Sequence, residues 1–550
     1  MTKLRADRSM MVAMPDEAGA FEPSDSAGLS ECHAVSLRFE LKPEDADHFA
    51  ERLDRSGGLC DVIEKIRGVY LDTPEYAIAA LGLGFGIRQH SKMVVVAGHV
   101  TSDAKRRGWK RFVEPLSAAT PISARRMLKS SLRDALAIDV VARVETQSYV
   151  WSVACGESQA QIVLDRSTVL MNGKEVTLAS VRFACDAANA DFFRLVSEVC
   201  EADRLRLTAE SDLARAFRLC GGPSKPYVTA FAPELDGDMD AAGAFRTIAA
   251  GCFDQFLLNE TAVRATADPE AVHQCRVALR RLSACLRFFS GFIDGADYEA
   301  VRAELKELGT HLRTARDLDV MIADVIAPAL AVDPPSGATT LMREIEARRS
   351  NAYADLVATL RATSSAAFFL RFAIWLEAGD WTRSGDPKSV KRRRGPIAKY
   401  ARRKFDRMST AFAERCAELG QMDSEERHRT RISAKNLRYD AEFFETLVRG
   451  KTAKKRRLAF IQAVKTLQTT LGDWNDVLMA RQFLMSLAEE ADTETDPKKV
   501  AKPKPRSTVA VAASALARRI EETPESLFGD NSAAACTALT KVKPFWTRFG

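Results

Sequence analysis

The sequence predicts a multidomain chain: a sheet-rich α+β domain first, then an all-α domain made of two copies of a four-helix bundle. Three observations predict it. Before about residue 220, short segments alternate apolar and polar residues with the period of a strand. From 241 onward, apolar residues recur at helical spacing over long stretches. Finally, one helical stretch occurs twice, at His273 and again at His428.

The elements follow in order. Residues 1–30 carry no apolar core of signal-peptide length and are expected to be a disordered lead-in. Strands are expected at 32–42, 68–72, 93–100, 109–114, 143–154 and 160–166. The run Met171-Asn172-Gly173-Lys174 makes a turn into a further strand ending near Phe183. Helices fit 43–55, 123–136 and 190–202, which closes a first domain over 31–220. The Gly- and Pro-containing stretch 221–240 reads as a linker. Helical spacing then covers 241–265, 270–291, 298–314, 316–328, 340–362 and 366–379. After a break at 380–396, around Gly385, Pro387 and Pro396, it covers 397–420, 425–448, 455–471, 475–489 and 508–520. The helical domain therefore spans 241–550, with repeats at about 241–380 and 395–550. The polar, charged segment 489–507 is expected to be a disordered insertion.

Composition narrows the function. No run of about 18 apolar residues marks a membrane span, so a cytoplasmic protein is expected, with no membrane partner. The eleven cysteines never fall as Cys-x-x-Cys, and Cys252, Cys275 and Cys285 sit at apolar helix positions. They read as buried small hydrophobes, not as a zinc site or disulfide framework. The net charge of +6 conceals an asymmetry. Residues 1–240 hold 30 Lys+Arg against 35 Asp+Glu, and residues 241–550 hold 50 against 39. Within 391–480 the count is 22 against 11, which points to an anionic ligand for the C-terminal half.

The repeat says where that ligand would sit. His273-Gln-Cys-Arg276 through Phe289 aligns without gaps on His428-Arg-Thr-Arg431 through Phe444, at an offset of 155. Positions i, i+3 and i+7 share a helix face, so His273, Arg276 and Arg280 form one stripe, with Arg281 and Arg287 further along the same helix. His428, Arg431, Lys435 and Arg438 form the second stripe. Like charges at this spacing repel, and an anion lying across them relieves the repulsion. Arginine suits phosphate because its planar fork grips two oxygens at once. A histidine beside a polyanion has its protonated form favoured, so binding is expected to strengthen on mild acidification. Lys306, Arg313 and Arg316 are candidate additions in the first repeat, and Lys465 in the second. The pairs Arg316-Asp317 and Asn475-Asp476 match between repeats, their acids expected to orient basic residues. The runs Lys391–Arg394 and Lys454–Arg457 read as part solvated face, part electrostatic contribution.

These motifs resemble the CHAD family, the conserved histidine α-helical domain. The stretches His-x-x-Arg-x-x-x-Arg-Arg-Leu at 273, Arg-Asp-Leu-Asp-Val at 316 and His-x-x-Arg-x-x-x-Lys-x-Leu-Arg-Tyr at 428 carry the resemblance, which runs over about 240–550. It implies two similar bundles around a basic groove, binding of inorganic polyphosphate with no cofactor required, and a place on polyphosphate granules. The family's histidines and basic residues fall on His273, Arg276, Arg280, His428, Arg431, Lys435 and Arg438.

The first 220 residues resemble a CYTH domain, whose fold is an antiparallel β-barrel of the triphosphate-tunnel type. Val69-Tyr-Leu-Asp-Thr-Pro74, Gly82–Arg88 and Ile162–Arg166 carry this resemblance. The family's Glu-x-Glu-x-Lys strand is here Arg38-Phe39-Glu40-Leu41-Lys42, and a later acid-rich strand reads Ser180-Val181-Arg182-Phe183-Ala184. Glu40, Glu114 and Asp165 remain as candidate metal-holding acids, with Lys42 and Arg88 as phosphate-gripping cations. Three readings follow. The first is a polyphosphate binder with a degenerate tunnel domain. The second is a metal-dependent inorganic triphosphatase, which alone requires Mg²⁺. The third is a nonspecific nucleic-acid binder, for which Tyr439 is the main stacking candidate.

Overall fold

The protein is described from a computed structural model. The described residues are 35–56, 60, 62–73, 75–79, 83–96, 99–102, 110–115, 139–186, 189–222, 227–493, 507–521, 535–537, 539 and 541–549. The expected lead-in at 1–30 and the expected helix at 123–136 lie outside them.

The N-terminal domain runs β1 (Val35–Leu41), α1 (Ala46–Arg55), β2 (Val62–Asp72), β3 (Leu83–Val96), β4 (His99–Ser102), β5 (Lys110–Pro115), β6 (Asp139–Cys155), β7 (Ser158–Met171), β8 (Lys174–Cys185), α2 (Ala190–Asp203), β9 (Arg206–Leu207) and α3 (Asp212–Cys220). The strands form one antiparallel sheet in the order β4-β3-β2-β6-β7-β8-β1-β9, with β5 also on β3. The expected strand at 93–100 divides into two: Val96 pairs with His99, and the chain reverses between them.

Period-two alternation gives the sheet two faces. Phe39, Ile162, Leu164, Val181 and Phe183 point to one side and bury under Phe49 of α1 and Phe192 and Val196 of α2. Arg38, Thr146, Ser148, Asp165, Ser167 and Arg182 point to the other and line a chamber of about 660 Å³. Helix α3 fills one end, setting Leu213, Ala216 and Phe217 against Ala142, Val169 and Leu178. A curled antiparallel sheet around a polar chamber is the triphosphate-tunnel type of architecture expected from the sequence.

The helical domain runs α4 (Ala241–Thr266), α5 (Pro269–Phe289), α6 (Ala296–Val320), α7 (Ala327–Val332), α8 (Ala338–Arg361), α9 (Thr363–Ala378), α10 (Asp380–Arg383), α11 (Pro387–Arg393), α12 (Ile397–Glu418), α13 (Ser424–Phe443), α14 (Lys451–Thr493) and α15 (Thr508–Glu521). Two expected divisions vanish. Residues 298–314 and 316–320 belong to one helix, and a π-helical turn at Met321–Ile326 joins α6 to α7. Residues 455–471 and 475–489 likewise form one helix of 43 residues. That helix runs through Thr493, so the first five residues of the expected disordered insertion are helical, and 494–506 lie outside the described residues.

The two repeats meet along α5 and α13, where Phe288 and Phe444 bring their ring centroids to 5.0 Å. A second core forms where Leu318 and Ile345 meet Leu484 and Leu516 of α14 and α15. The stretch expected as a linker is strapped to the helical domain over its described part. Val228 exchanges two hydrogen bonds of 2.9 Å with the Asn259 side chain. Arg281 donates to the Phe231 carbonyl at 3.0 Å.

The two domains pack together through a buried charge network. Glu260 of α4 accepts from Arg264 at 2.7 Å and from Arg206 of β9. Arg206 also donates to the Leu360 carbonyl at 2.5 Å. Arg264 reaches back to Glu40 of β1 at 3.7 Å. A carboxylate only 1 % exposed is tolerated here because two guanidinium groups meet it.

Candidate polyanion-binding groove

Local sequence fixes where α5 and α13 begin. Asp268 caps α5 by accepting from the Ala271 amide at 2.8 Å, with Pro269 at the first helical position. Asp423 and Glu426 form a reciprocal capping box on α13, at 2.8 and 3.2 Å. Each cap contributes about 1 kcal/mol and sets the phase of the helix behind it. Both helices turn their apolar side inward: Val272, Cys275, Leu279 and Leu282 are buried on α5, and Ala434, Leu437 and Ala441 on α13. The cationic stripes are left on the remaining faces.

Because α5 and α13 pack on each other, the two stripes are apposed. The positive charges acting on Lys435 come from Arg280 and Arg276 of the first repeat and Arg431 of its own. Burial first, then these three guanidinium groups against Asp476, push the Lys435 ammonium down to about 6. Arg431 is lowered from the usual arginine range by burial and then by Arg280 and Arg276, opposed by Asp476 and Asp317. Arg276, Arg280, Arg431 and Lys435 therefore share one groove. Its acids obey the repeat: Asp317 accepts from Arg276 at 2.5 Å, and Asp476 lies 3.6 Å from Arg431. Three guanidinium groups against two acids leave the groove cationic even with Lys435 neutral.

His273 sits half-buried beside this cluster. Burial, then Arg316, Arg280 and Arg276, hold its imidazole below the ordinary histidine range, opposed by Glu270. Arg316 thus belongs to the groove end near His273. His428 is exposed.

Residues 247–485 match the family model of the CHAD domain. These residues, within the helical part, form a CHAD domain. The crystal structure of the CHAD domain from the plant Ricinus communis is 27 % identical, with a TM-score of 0.47, covering 58 % of this chain and 98 % of its own. A putative adenylate cyclase from Bacillus halodurans is 9 % identical at a TM-score of 0.20, covering 33 % of this chain and 96 % of its own. A putative adenylyl cyclase from Hippeastrum, with a dominant triphosphatase activity, is 10 % identical at 0.21, covering 34 % and 96 %. No curated protein matches the chain.

Several residues expected in the CHAD groove are placed elsewhere. Arg281 is turned into the core, 4 % exposed, where it pairs with Glu442 at 2.8 Å and lies 4.9 Å over the Phe443 ring. One residue along a helix is a rotation of 100°, enough to separate Arg281 from Arg280. Replacing Arg281 with alanine is expected to cost about 3 kcal/mol in urea denaturation, with polyanion affinity of the folded fraction unchanged. Tyr439, the expected stacking aromatic, is 1 % exposed and packs between Arg438, at 4.9 Å, and Arg281. Arg438 lies 3.9 Å from Glu442. Lys306, Arg313 and Lys465 are exposed, and no ion pair ties them to the stripes among the described residues. In the basic runs, Arg393 is buried and donates to the Trp381 carbonyl, while buried Arg457 pairs with Glu445 at 2.6 Å. Both serve the fold.

Lys404 of α12 was missed by sequence reasoning. Arg287 reaches the buried Asp440 at 3.0 Å, and Lys404 faces the same pair together with Arg407 and Arg392. Burial and these guanidinium groups lower the Lys404 ammonium, opposed by Asp440. This second cationic patch adjoins the far end of the α5 stripe. The 22-to-11 charge excess in 391–480 signalled it without giving its face.

Among the described residues, the N-terminal candidates are drawn to other partners and do not group as metal ligands. Glu40 lies 3.7 Å from Arg264 of the other domain. Asp165 accepts from Ser148 at 2.5 Å and faces Arg182, which is held among Asp165, Arg38 and Asp212. Arg38 and Arg182 are cross-strand partners. Lys42 is exposed, Arg88 lines the chamber, and the Glu114 side chain lies outside the described residues. Among the described residues no three His, Cys, Asp or Glu side chains are grouped to hold an ion. Hard divalent cations need several converging carboxylate oxygens, and the described residues present no such cluster.

Proposed function

We propose that the chain binds inorganic polyphosphate, or a polyanion of the same linear phosphate chemistry, in the groove between α5 and α13. One observation carries this reading: cation stripes from both repeats converge, with Lys435 pushed down to about 6 by burial and by its neighbours. Three guanidinium groups gathered around a buried amine, with two acids between them, leave a net positive groove that a bound anion stabilises. A linear phosphate chain suits the site because its charge repeats along its length and it carries no base. Burial of Tyr439 removes the stacking aromatic that single-stranded nucleic acid would use, leaving it only salt-sensitive phosphate contacts. No Mg²⁺ is required for this binding. A place on polyphosphate granules follows from the same ligand. No single described helix is long and apolar enough to cross a membrane.

Calorimetric titration with long-chain polyphosphate, in chelator and then in Mg²⁺, tests this with phosphate release followed in parallel. Saturable binding in chelator with no release is expected. Release that depends on Mg²⁺ would restore the triphosphatase reading and make Glu40 and Asp165 the first residues to replace.

A further inference from the structure

The cationic stripe of α5 does not stop at the groove. Arg280 and Arg287 are seven residues apart, which is two helical turns. They therefore point within about 20° of one another and stand about 10.5 Å apart along the axis. Ser283, small and exposed, is the stripe position between them. The Arg287 side chain is 42 % exposed while it pairs with the buried Asp440 at 3.0 Å.

Local packing brings further cations to this end. Arg392 of α11 donates to the Gly291 carbonyl, just past α5, at 2.8 Å. Tyr400 of α12 donates to the Phe288 carbonyl at 3.1 Å and stacks on Phe289, with ring centroids 5.5 Å apart. Positions i, i+4 and i+7 share a helix face, so the contacts that fix Tyr400 also set Lys404 and Arg407 on the α5 side of α12. Lys404 is half-buried there, and Arg392 and Arg407 are exposed. Neither Lys404 nor Arg407 has an ion-pair partner among the described residues. The nearby acids are engaged: Asp440 by Arg287, and Asp406 by the Trp546 indole at 2.7 Å. The duplication does not repeat the patch. The position equivalent to Arg287 in the second repeat is Glu442, which Arg281 and Arg438 occupy.

We propose that Arg287, Arg392, Lys404 and Arg407 form a second phosphate subsite, which takes the continuation of a linear chain lying across the groove and so selects long chains over short ones. The inference rests on the groove reading and adds chain length to it. A chain that passes Ser283 and reaches the patch is held at both places, and its second contact is intramolecular. Tripolyphosphate is too short to cover the groove cations and also cross the two-turn step, so it engages the groove alone.

The test is calorimetric titration of the full chain with tripolyphosphate and with long-chain polyphosphate, repeated on the double variant Lys404→Ala, Arg407→Ala. Arg287 and Arg392 are left in place because they hold a buried acid and a helix end. The double variant Lys454→Ala, Lys455→Ala removes the same formal charge from exposed positions of α14 and serves as the control. Long-chain affinity is expected to fall roughly tenfold or more in the first variant and less than about threefold in the control. Tripolyphosphate affinity is expected to stay within about twofold in both. Arg407→Ala alone, at an exposed position, is expected to show part of the long-chain loss and carries the test if the double variant misfolds. No long-chain loss, an equal loss for both ligands, or a control loss as large as that of the patch overturns the subsite and leaves the groove standing. No binding of either ligand by the unaltered chain overturns the groove reading and the subsite with it.

Discussion

Replacing Arg276, Arg280, Arg431 and Lys435 together with alanine is expected to lower affinity for long-chain polyphosphate by at least about a thousandfold. Each charge-assisted contact to phosphate is worth roughly 1.5–3 kcal/mol, so even partial loss of four exceeds that factor. The fold is expected to survive. Lys435 is a half-buried amine pushed down by three guanidinium groups, so its removal leaves no buried charge unpaired. The acids left behind, Asp317 and Asp476, are a third exposed in their side chains and are rehydrated at little cost. Calorimetry for affinity and far-UV circular dichroism for helicity separate the two effects. A folded variant with unchanged affinity would remove the groove from consideration. The exposed cations Lys306, Arg313 and Lys465 make a useful contrast: their triple alanine variant is expected to lose far less, since solvated charges contribute little each.

Polyphosphate binding at pH 7.5 is expected to take up protons, about one per groove from Lys435 alone. The Lys435 ammonium, ordinarily near 10.5, is pushed down to about 6, so in the free chain it is mostly neutral at that pH. A bound polyanion favours the charged form and draws the group back up. His273, held below its ordinary range by burial and by Arg316, Arg280 and Arg276, adds to the uptake as the polyanion draws it back up. Affinity should therefore rise as pH falls, by about tenfold per pH unit above 6. The sign for the free chain is opposite. A lysine whose folded value lies below its unfolded value binds a proton only when unfolded between the two. Stability from this group is thus complete above about 10.5 and is lost progressively as pH falls towards 6. Titration in buffers of differing ionisation enthalpy reads the proton count directly. Lys435→Met is expected to remove most of the uptake at pH 7.5. Equal heats in all buffers would mean that Lys435 is already charged or does not meet the ligand.

Much of the architecture was legible because it depends on short-range signals. Apolar spacing gave helices at 270–291 and 425–448, and the structure starts them at Pro269 and Ser424 behind the Asp268 and Asp423 caps. The repeat at His273 and His428 announced equivalent helices, and these pack against each other. What escaped was set by tertiary context. A break was expected between 471 and 475, but packing on both α13 and α15 carries α14 through. Arg280 and Arg281 are the same residue type side by side, and only the position of Glu442 on a neighbouring helix decides which one is buried. Tyr439 looked available because its helix is strongly polar, yet it lies on the face turned to α5. Glu40 sits in the right strand for metal chemistry, and a residue 224 positions later, Arg264, draws it to the domain interface. No pattern local to the first strand announces that partner.

The most direct test of the shared groove is a crystal structure of the full chain with a short linear polyphosphate. The expected result is density for a phosphate chain between α5 and α13, touching Arg276 or Arg280 from one repeat and Arg431 or Lys435 from the other. Density confined to the exposed basic run around Lys454, or to the N-terminal chamber with the groove empty, would contradict the account.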